Sequence, residues 1–319
     1  MYSTKRILLT GAAGFIGFHL AKRLVNRGDF VIGLDNFNSY YDPALKRARE
    51  KMLDIEVVHG DICNTALLKE LIVKHQIAHV VHLAAQAGVR NPNVQEYVAS
   101  NLQGFVSVLE ACRSGIPLIF ASSSSVYGLN KKIPFSVDDK TDQPTNFYGA
   151  TKKSNELMAH SYHHLYGIPV TALRYFTVYG PWGRPDMAIY RFAKLISEGK
   201  PIPVFNRGKM RRDFTYIDDI VDGTVAAIDL GAEYGIFNLG NHRPVDLLYL
   251  IELLEKALGK KAIKELLPMQ PGEVLETYAD IEKSTKVLGF KPKINIEDGI
   301  VRFVEWFKGS EQMLLANSR

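Results

Sequence analysis

The chain has 319 residues, long enough for one large domain or two ordinary ones with a packed core. Its 46% hydrophobic content excludes a disordered polymer, and a net charge of +5 is too mild for a nucleic-acid binder but suits small anionic ligands. Cys63 and Cys112 lie far apart, which predicts neither a disulfide framework nor a zinc knuckle and fits a cytoplasmic protein, and no apolar run nears the ~18–20 residues that span a bilayer.

The apolar start at 5–11 reads as a buried strand over Arg6–Thr10 rather than a signal peptide, because Gly14, Gly17 and His19 interrupt it and no small-residue cleavage site follows. The turn Gly11-Ala12-Ala13-Gly14-Phe15-Ile16-Gly17 comes next and opens a helical pattern over Phe15–Asn26. Glycines at that junction let the backbone approach a pyrophosphate, which then lies on the helix N-terminus. A second strand at 30–34 leads into Asp35, at the ~20-residue offset where a carboxylate accepts from ribose hydroxyls. Such an acid repels a 2′-phosphate and favours NAD over NADP.

A helix at 43–52, a strand at 55–59, a helix at 65–75 and a strand at 79–83 continue the alternation. Asp61 and Ile62 follow the third strand; Asp61 reads as an acceptor for the adenine amino group or as a helix N-cap. At the fourth strand's end, Leu83, Ala84 and Ala85 read as backbone open to a close-passing cofactor, or as plain packing. One helix is expected over 94–113, a strand at 118–121, a helix over Phe147–Tyr166 and a strand over Val170–Tyr175. Strand, helix, strand at this spacing predicts an α/β fold with a doubly wound parallel Rossmann sheet. On the two long helices Tyr97, Val98, Phe105, Leu109, Leu157, Met158 and Leu165 are expected in the core. His160, His163 and His164 share a helix without an evident third ligand, so no metal is expected.

The chemistry concentrates at Tyr148 and Lys152, four apart and therefore on one helix face. A free phenol titrates near ~10, too high for a base at neutral pH, and a cation beside it favours the phenolate. Ser122-Ser123-Ser124-Ser125 ends the fifth strand and places hydroxyls at the mouth of the sheet. After Gly180, prolines and glycines predict a smaller second region. The expected division assigns 1–180, with 213–240 returning to it, to cofactor binding, and 181–212 with 241–310 to a C-terminal α/β substrate domain.

Thr10-Gly11-x-x-Gly14-Phe15-Ile16-Gly17, Asp35-Asn36, His82-Leu83-Ala84-Ala85, Ser122–Ser125 before Val126-Tyr127-Gly128, Tyr148-x-x-x-Lys152, Arg212-Asp213-Phe214 and Pro271-Gly272-Glu273 together resemble the extended short-chain dehydrogenase/reductases. The resemblance covers nearly the whole chain and implies an enzyme that holds NAD tightly, acts on nucleotide sugars and forms a homodimer. Tyr40-Tyr41-Asp42-Pro43, Leu45-Lys46-Arg47-Ala48-Arg49, the stretch 180–188 and Met269-Gln270-Pro271-Gly272-Glu273-Val274 resemble the branch that inverts carbon 4 of UDP-uronic acids. Neutral UDP-hexoses, such as UDP-glucose or UDP-N-acetylglucosamine, and a non-catalytic NAD-binding regulator are the alternatives.

The resemblance implies Ser123, Tyr148 and Lys152 as catalytic residues, and adds Phe15, Ile16, Asn36 and Tyr175 to the cofactor site. Related dehydratases and decarboxylating synthases carry an acid just before Val-Tyr-Gly; here Ser124 and Ser125 stand there, which favours simple epimerisation. Ser124, Ser125 and Thr177 are candidates for holding a uronate carboxylate. Arg212 suits phosphate oxygens, Phe205 a stacked uracil, and Arg184 the diphosphate or the carboxylate. Met187 and Arg90 complete the expected substrate site, while Gln270, where some relatives have arginine, leaves a second diphosphate arginine in doubt.

Overall fold

The computed structural model describes residues 4–269 and 274–316, so Gln270 and the Pro271-Gly272-Glu273 motif lie outside the described residues. Strands β1 (Arg6–Thr10), β2 (Phe30–Asp35), β3 (Glu56–His59), β4 (His79–His82), β5 (Leu118–Ser123) and β6 (Val170–Tyr175) build one sheet with a later strand. The others are β7 (Thr177–Tyr179), β8 (Ile202–Val204), β9 (Arg211–Tyr216), β10 (Tyr234–Leu239), β11 (Pro244–Asp246), β12 (Lys264–Leu266) and β13 (Glu276–Thr277). The main sheet runs β10-β6-β5-β4-β1-β2-β3, every pairing parallel.

Strand order reverses between β1 and β4, and in an open parallel sheet that reversal leaves a crevice at the carboxyl ends of the strands. Alternate side chains fill opposite faces. Ile7, Leu9, Val81, Ile119 and Leu173 enter one apolar cluster, and Leu8, Val80, Leu118, Phe120 and Ala172 enter the other. Burial on both faces explains why these strands read as continuous apolar runs.

Helices α1 (Phe15–Asn26), α2 (Pro43–Glu50), α3 (Thr65–Lys74), α4 (Val94–Tyr97), α5 (Gly104–Cys112) and α6 (Phe147–Tyr166) flank the sheet, followed by α7 (Ala188–Ser197), α8 (Ile217–Leu230), α9 (Leu247–Leu258), α10 (Glu282–Leu288) and α11 (Ile296–Ala316). The single helix expected over 94–113 is interrupted: a π-helical segment, Val98–Gln103, separates α4 from α5. Asn101 sits in that segment, and its carbonyl accepts from Asn155 Nδ2 at 2.7 Å on α6. Its side-chain amide binds both the N–H and the carbonyl of Gln86 and the Thr151 hydroxyl. The wider turn thus releases a carbonyl to a tertiary partner.

Two residues expected in the core are not there: Leu157 is 58% and Leu165 66% exposed, because both lie on the face of α6 turned away from the sheet. Tyr97, Phe105 and Leu109 are buried, and Val98 and Met158 are partly buried. His160 and His163 pack against the Tyr234 ring, and no group of three or more potential metal ligands occurs among the described residues. No described helix is long and apolar enough to cross a membrane.

The second sheet is built on β9, which pairs antiparallel with β11 and parallel with β13 and β7. Asp213 of β9, fully buried, accepts from the backbone N–H groups of Asn241, His242 and Ala279 and from the Thr215 hydroxyl. Burial raises its pKa against those four donors. The acid of the Arg212-Asp213-Phe214 motif therefore ties the loop after β10 to the segment after β13.

Candidate active site

A cleft of about 910 Å³ opens along the carboxyl ends of β1, β2, β4, β5 and β6 and continues to the second sheet. Gly11 adopts φ +73°, and a Cβ there would meet Ala84 N at 2.7 Å. A Cβ on Gly17 would sit 2.0 Å from the Gly11 carbonyl. Helix α1 starts at Gly14 with no side-chain cap and no acid in its first turn among the described residues. Its first amides are therefore available to an anion in the cleft. The turn fits a dinucleotide's pyrophosphate.

Gly11, Gly14, Phe15, Ile16, Gly17, Asp35, Asn36, Ile62, Leu83, Ala84 and Ala85 all line this half of the cleft. Asp35 also accepts from Ala13 N at 3.1 Å and Phe37 N at 2.9 Å, which anchors the glycine turn to β2. Asp61 follows β3, between the cleft residues Gly60 and Ile62. It does not line the cleft, nor does it cap α3, whose cap is Asn64. Its carboxylate accepts from Cys63 N and from Asn36 Nδ2, and those bonds hold it below its usual pKa despite partial desolvation. Lys46 lies on the cleft wall, with Nζ 3.8 Å from Asp35.

Ser123, Ser125, Tyr148, Lys152, Tyr175 and Thr177 meet where β5 and β6 end. Asn146 caps α6 by accepting from Gly149 N at 2.8 Å, so the helix begins just before Tyr148. Ser123 Oγ accepts from Ser125 N and opens a 3₁₀ turn at Ser124–Tyr127. Ser124 lies in that turn but does not line the cleft, which leaves Ser125 and Thr177 of the expected carboxylate contacts. The Tyr175 hydroxyl is paired with Thr224 Oγ1 on α8 at 2.9 Å and offers the cleft only its ring.

The electrostatics differ from the sequence expectation. Burial raises the Tyr148 pKa, and the groups that pull it down are the Arg184 guanidinium and the Ser123 hydroxyl, with Tyr97 adding to the rise. Tyr148 is half-buried, and desolvation is the largest influence on its titration. Lys152 is not among the groups that shift it. Nζ of Lys152 donates to the Ala121 carbonyl at 2.8 Å, and burial lowers its own pKa to about 8.

Below these groups is a buried ionic network. Glu156, four residues after Lys152, accepts from the Ser122 hydroxyl at 2.6 Å and from Arg174 Nε and Nη2 at 2.8 and 2.9 Å. Arg174 Nη1 also donates to the Tyr127 hydroxyl, which donates to Asn238 Oδ1. Helix α6 is thereby fixed to β5, β6 and β10 one turn beyond Lys152.

On the far side of the cleft stand Arg90, Arg184, Met187, Phe205 and Arg212. Arg90 lies over the Phe205 ring at 5.7 Å, and Arg212 Nη1 donates to the carbonyls of Arg211 and Leu275. Arg184 is bidentate to Asp186, through Nε at 3.0 Å and Nη2 at 2.5 Å, and Tyr40 donates to the same carboxylate. Burial opposes the guanidinium charge, but the Asp186 pairing holds its pKa above the ordinary value. Tyr40 and Asp186 had no assigned role in the sequence; Tyr40 falls within a run that carried the family resemblance.

Glycine turn, strand-end acid, serine and Tyr-x-x-x-Lys on this sheet define an extended short-chain dehydrogenase/reductase. A family model described as the NAD dependent epimerase/dehydratase family matches residues 7–240, and the chain belongs to that family. It is 50% identical to UDP-glucuronate 4-epimerase 4 of Arabidopsis thaliana over 94% of this chain and 75% of that protein. An uncharacterized protein of Methanocaldococcus jannaschii is 54% identical over 98% of both chains. The solved UDP-glucuronic acid 4-epimerase of Bacillus cereus, in complex with UDP-glucuronic acid and NAD, is 39% identical, with a TM-score of 0.90 over 96% of this chain and 99% of that one.

Proposed function

We propose that this protein inverts carbon 4 of UDP-glucuronate, giving UDP-galacturonate through a 4-keto intermediate, with NAD as resident cofactor. The observation that carries this reading is the convergence of Ser123, Tyr148 and Lys152 with the non-acidic Ser125 and Thr177 and the Arg184 guanidinium. The similarity to the Arabidopsis and Bacillus epimerases supports the same substrate.

Bound in the cleft, NAD would supply the hydride acceptor and donor for carbon 4 and a positive ring charge that would favour the Tyr148 phenolate. Gly11, Gly14, Phe15, Ile16 and Gly17 would hold its pyrophosphate, Asp35 and Asn36 its adenosine ribose, and Ile62, Leu83, Ala84, Ala85 and Tyr175 would wall it in. Tyr148 takes the proton of the sugar 4-hydroxyl and gives it back after inversion, and Ser123 hydrogen-bonds that hydroxyl. Lys152, anchored on the Ala121 carbonyl, keeps a positive charge beside the ribose near neutral pH.

The 4-keto uronate is a β-keto acid and loses carbon dioxide readily unless its carboxylate is held out of line with the ketone. Ser125, Thr177 and Arg184 do this holding. Arg184 suits it because, while paired with Asp186, its charge also acts on Tyr148. Phe205, Arg90, Arg212 and Met187 receive the UDP end. The division follows: 1–180 with 213–240 carries the cofactor, and 181–212 with 241–310 carries the nucleotide sugar. The placement of β10 beside β6 supports it. The protein works as a cytoplasmic homodimer through α5 and α6, whose outward Val106, Phe147, Leu157 and Leu165 are exposed.

Incubation with UDP-glucuronate and, separately, UDP-glucose, followed by NMR of the sugar signals, tests the reading. Only UDP-glucuronate converts, to UDP-galacturonate without pentose. Turnover of UDP-glucose alone removes the uronate assignment.

A further inference from the structure

Two sequence runs that mark this branch have no role in the chemistry above: the run ending at Arg49, and Trp182-Gly183. The structure brings them into contact. Arg49 is fully buried on α2, three residues after Lys46 and on the same helix face. Its Nη1 donates to the Ala13 carbonyl at 3.0 Å and to the Tyr41 hydroxyl at 2.8 Å. Its Nη2 donates to the Trp182 carbonyl at 2.6 Å and grazes that of Gly183 at 3.5 Å.

Each end of this bridge matters. Ala13 lies inside the glycine turn and is gripped twice, its N–H by Asp35 and its carbonyl by Arg49. Trp182 holds φ +61°, a left-handed conformation that a bulky residue keeps only when its surroundings impose it. Its ring packs on Phe18 and Trp306, and His19 at the start of α1 binds the preceding Pro181 carbonyl at 2.9 Å. Two residues on is Arg184.

The guanidinium of Arg49 has no carboxylate within ion-pair distance among the described residues, and its buried Nε has no hydrogen-bond partner there. A buried cation held only by neutral dipoles is costly, and a hydrophobic residue of similar volume would fold more readily. Bridging two loops with a planar fork is something a guanidinium does and an ammonium does not.

We propose that Arg49 is a positioning residue that couples the halves of the cleft, tying the glycine turn to the Trp182-Gly183 turn and thereby aiming Arg184 at the reacting end of the sugar. It touches neither cofactor nor substrate. The inference rests on the reading of Arg184 as a substrate contact.

A double-mutant cycle tests it on the NAD-loaded protein, with Arg49→Lys, Arg184→Met and the pair. Arg49→Lys keeps the charge but not the bridge, and lowers kcat/KM for UDP-glucuronate about tenfold or more, while UDP alone binds within about twofold of wild type. The pair falls no further than about threefold below Arg184→Met, because both changes remove one function. Arg49→Met, which keeps volume, behaves as Arg49→Lys does and replaces it in the cycle should the lysine variant fail to fold.

Amide exchange on the NAD-loaded protein needs no substrate. Arg49→Lys speeds exchange at Gly183 and Met187, whose N–H groups close the 180–187 turns, and leaves Gly149 at the start of α6 unchanged. Multiplicative losses in the cycle, wild-type kinetics in Arg49→Lys, or unaltered exchange at Gly183 and Met187 overturns the role of Arg49. Faster exchange there in a protein whose wild type turns over no UDP-glucuronate overturns the substrate reading instead and leaves the bridge standing.

Discussion

At Tyr148 burial and charge oppose each other, and burial wins until more positive charge enters the cleft. Arg184 pulls the phenol's pKa down, while Lys152 is tied to the Ala121 carbonyl and lies 5.8 Å over the Tyr148 ring. Tyr148→Phe is expected to fold and keep NAD while kcat falls about 10²–10⁴-fold, the range for loss of a positioned acid–base group; near-normal turnover would remove the phenol from the mechanism. Lys152 has a stability cost with a definite sign. Its folded pKa, about 8, lies below the ordinary 10.5, so the unfolded chain holds the proton more tightly between those values. Below pH 8 both states are charged and the folded one carries the full burial penalty. Above pH 10.5 the penalty is gone. Lys152→Met is therefore expected to be inactive yet more stable by up to about 3 kcal/mol near pH 7, with the gap closing as pH rises from 8 to 10.5. A gap that widens over that range in thermal unfolding would contradict it.

Helix α6 carries the reacting pair, and the Glu156–Arg174 pair holds it to the sheet. Glu156→Ala leaves Arg174 buried without its carboxylate, which is expected to cost about 3–5 kcal/mol in denaturant unfolding; a loss below about 1 kcal/mol would show that α6 is held by its apolar face alone. What was legible at this scale follows from what is local. Strands buried on both faces leave uninterrupted apolar runs, and Gly11, Asp35, Tyr148 and Lys152 stand at spacings set by one turn or one helix. The π-helical break at Val98–Gln103 was hidden because its cause is tertiary: Asn101 reaches Gln86, Thr151 and Asn155. Lys46 and Arg49 received no role from the sequence, and their helix turns both inward. Asp61 stands at a strand end like a ligand-binding acid, but its bonds to Asn36 and Cys63 keep it off the cleft wall.

In the whole molecule a seven-strand parallel sheet meets a smaller mixed sheet across one cleft, so residues from 11 to 277 converge on one ligand space. No sequence spacing predicts the meeting of Arg184 with Tyr148, which depends on how the two sheets pack. The outward face of α6 exposes Leu157 and Leu165 among the polar His160, Ser161 and His164. If the proposed dimer forms through α6, Leu157→Glu combined with Leu165→Glu is expected to halve the sedimentation mass while the circular dichroism stays native; an unchanged mass would contradict that dimer face. The central claim is that one hydride leaves carbon 4 and returns to the same carbon inside a closed cleft. UDP-glucuronate carrying deuterium at carbon 4, followed by NMR and mass spectrometry, tests it directly. The account predicts UDP-galacturonate that keeps the deuterium at carbon 4, whereas product that has exchanged it for solvent hydrogen would contradict it.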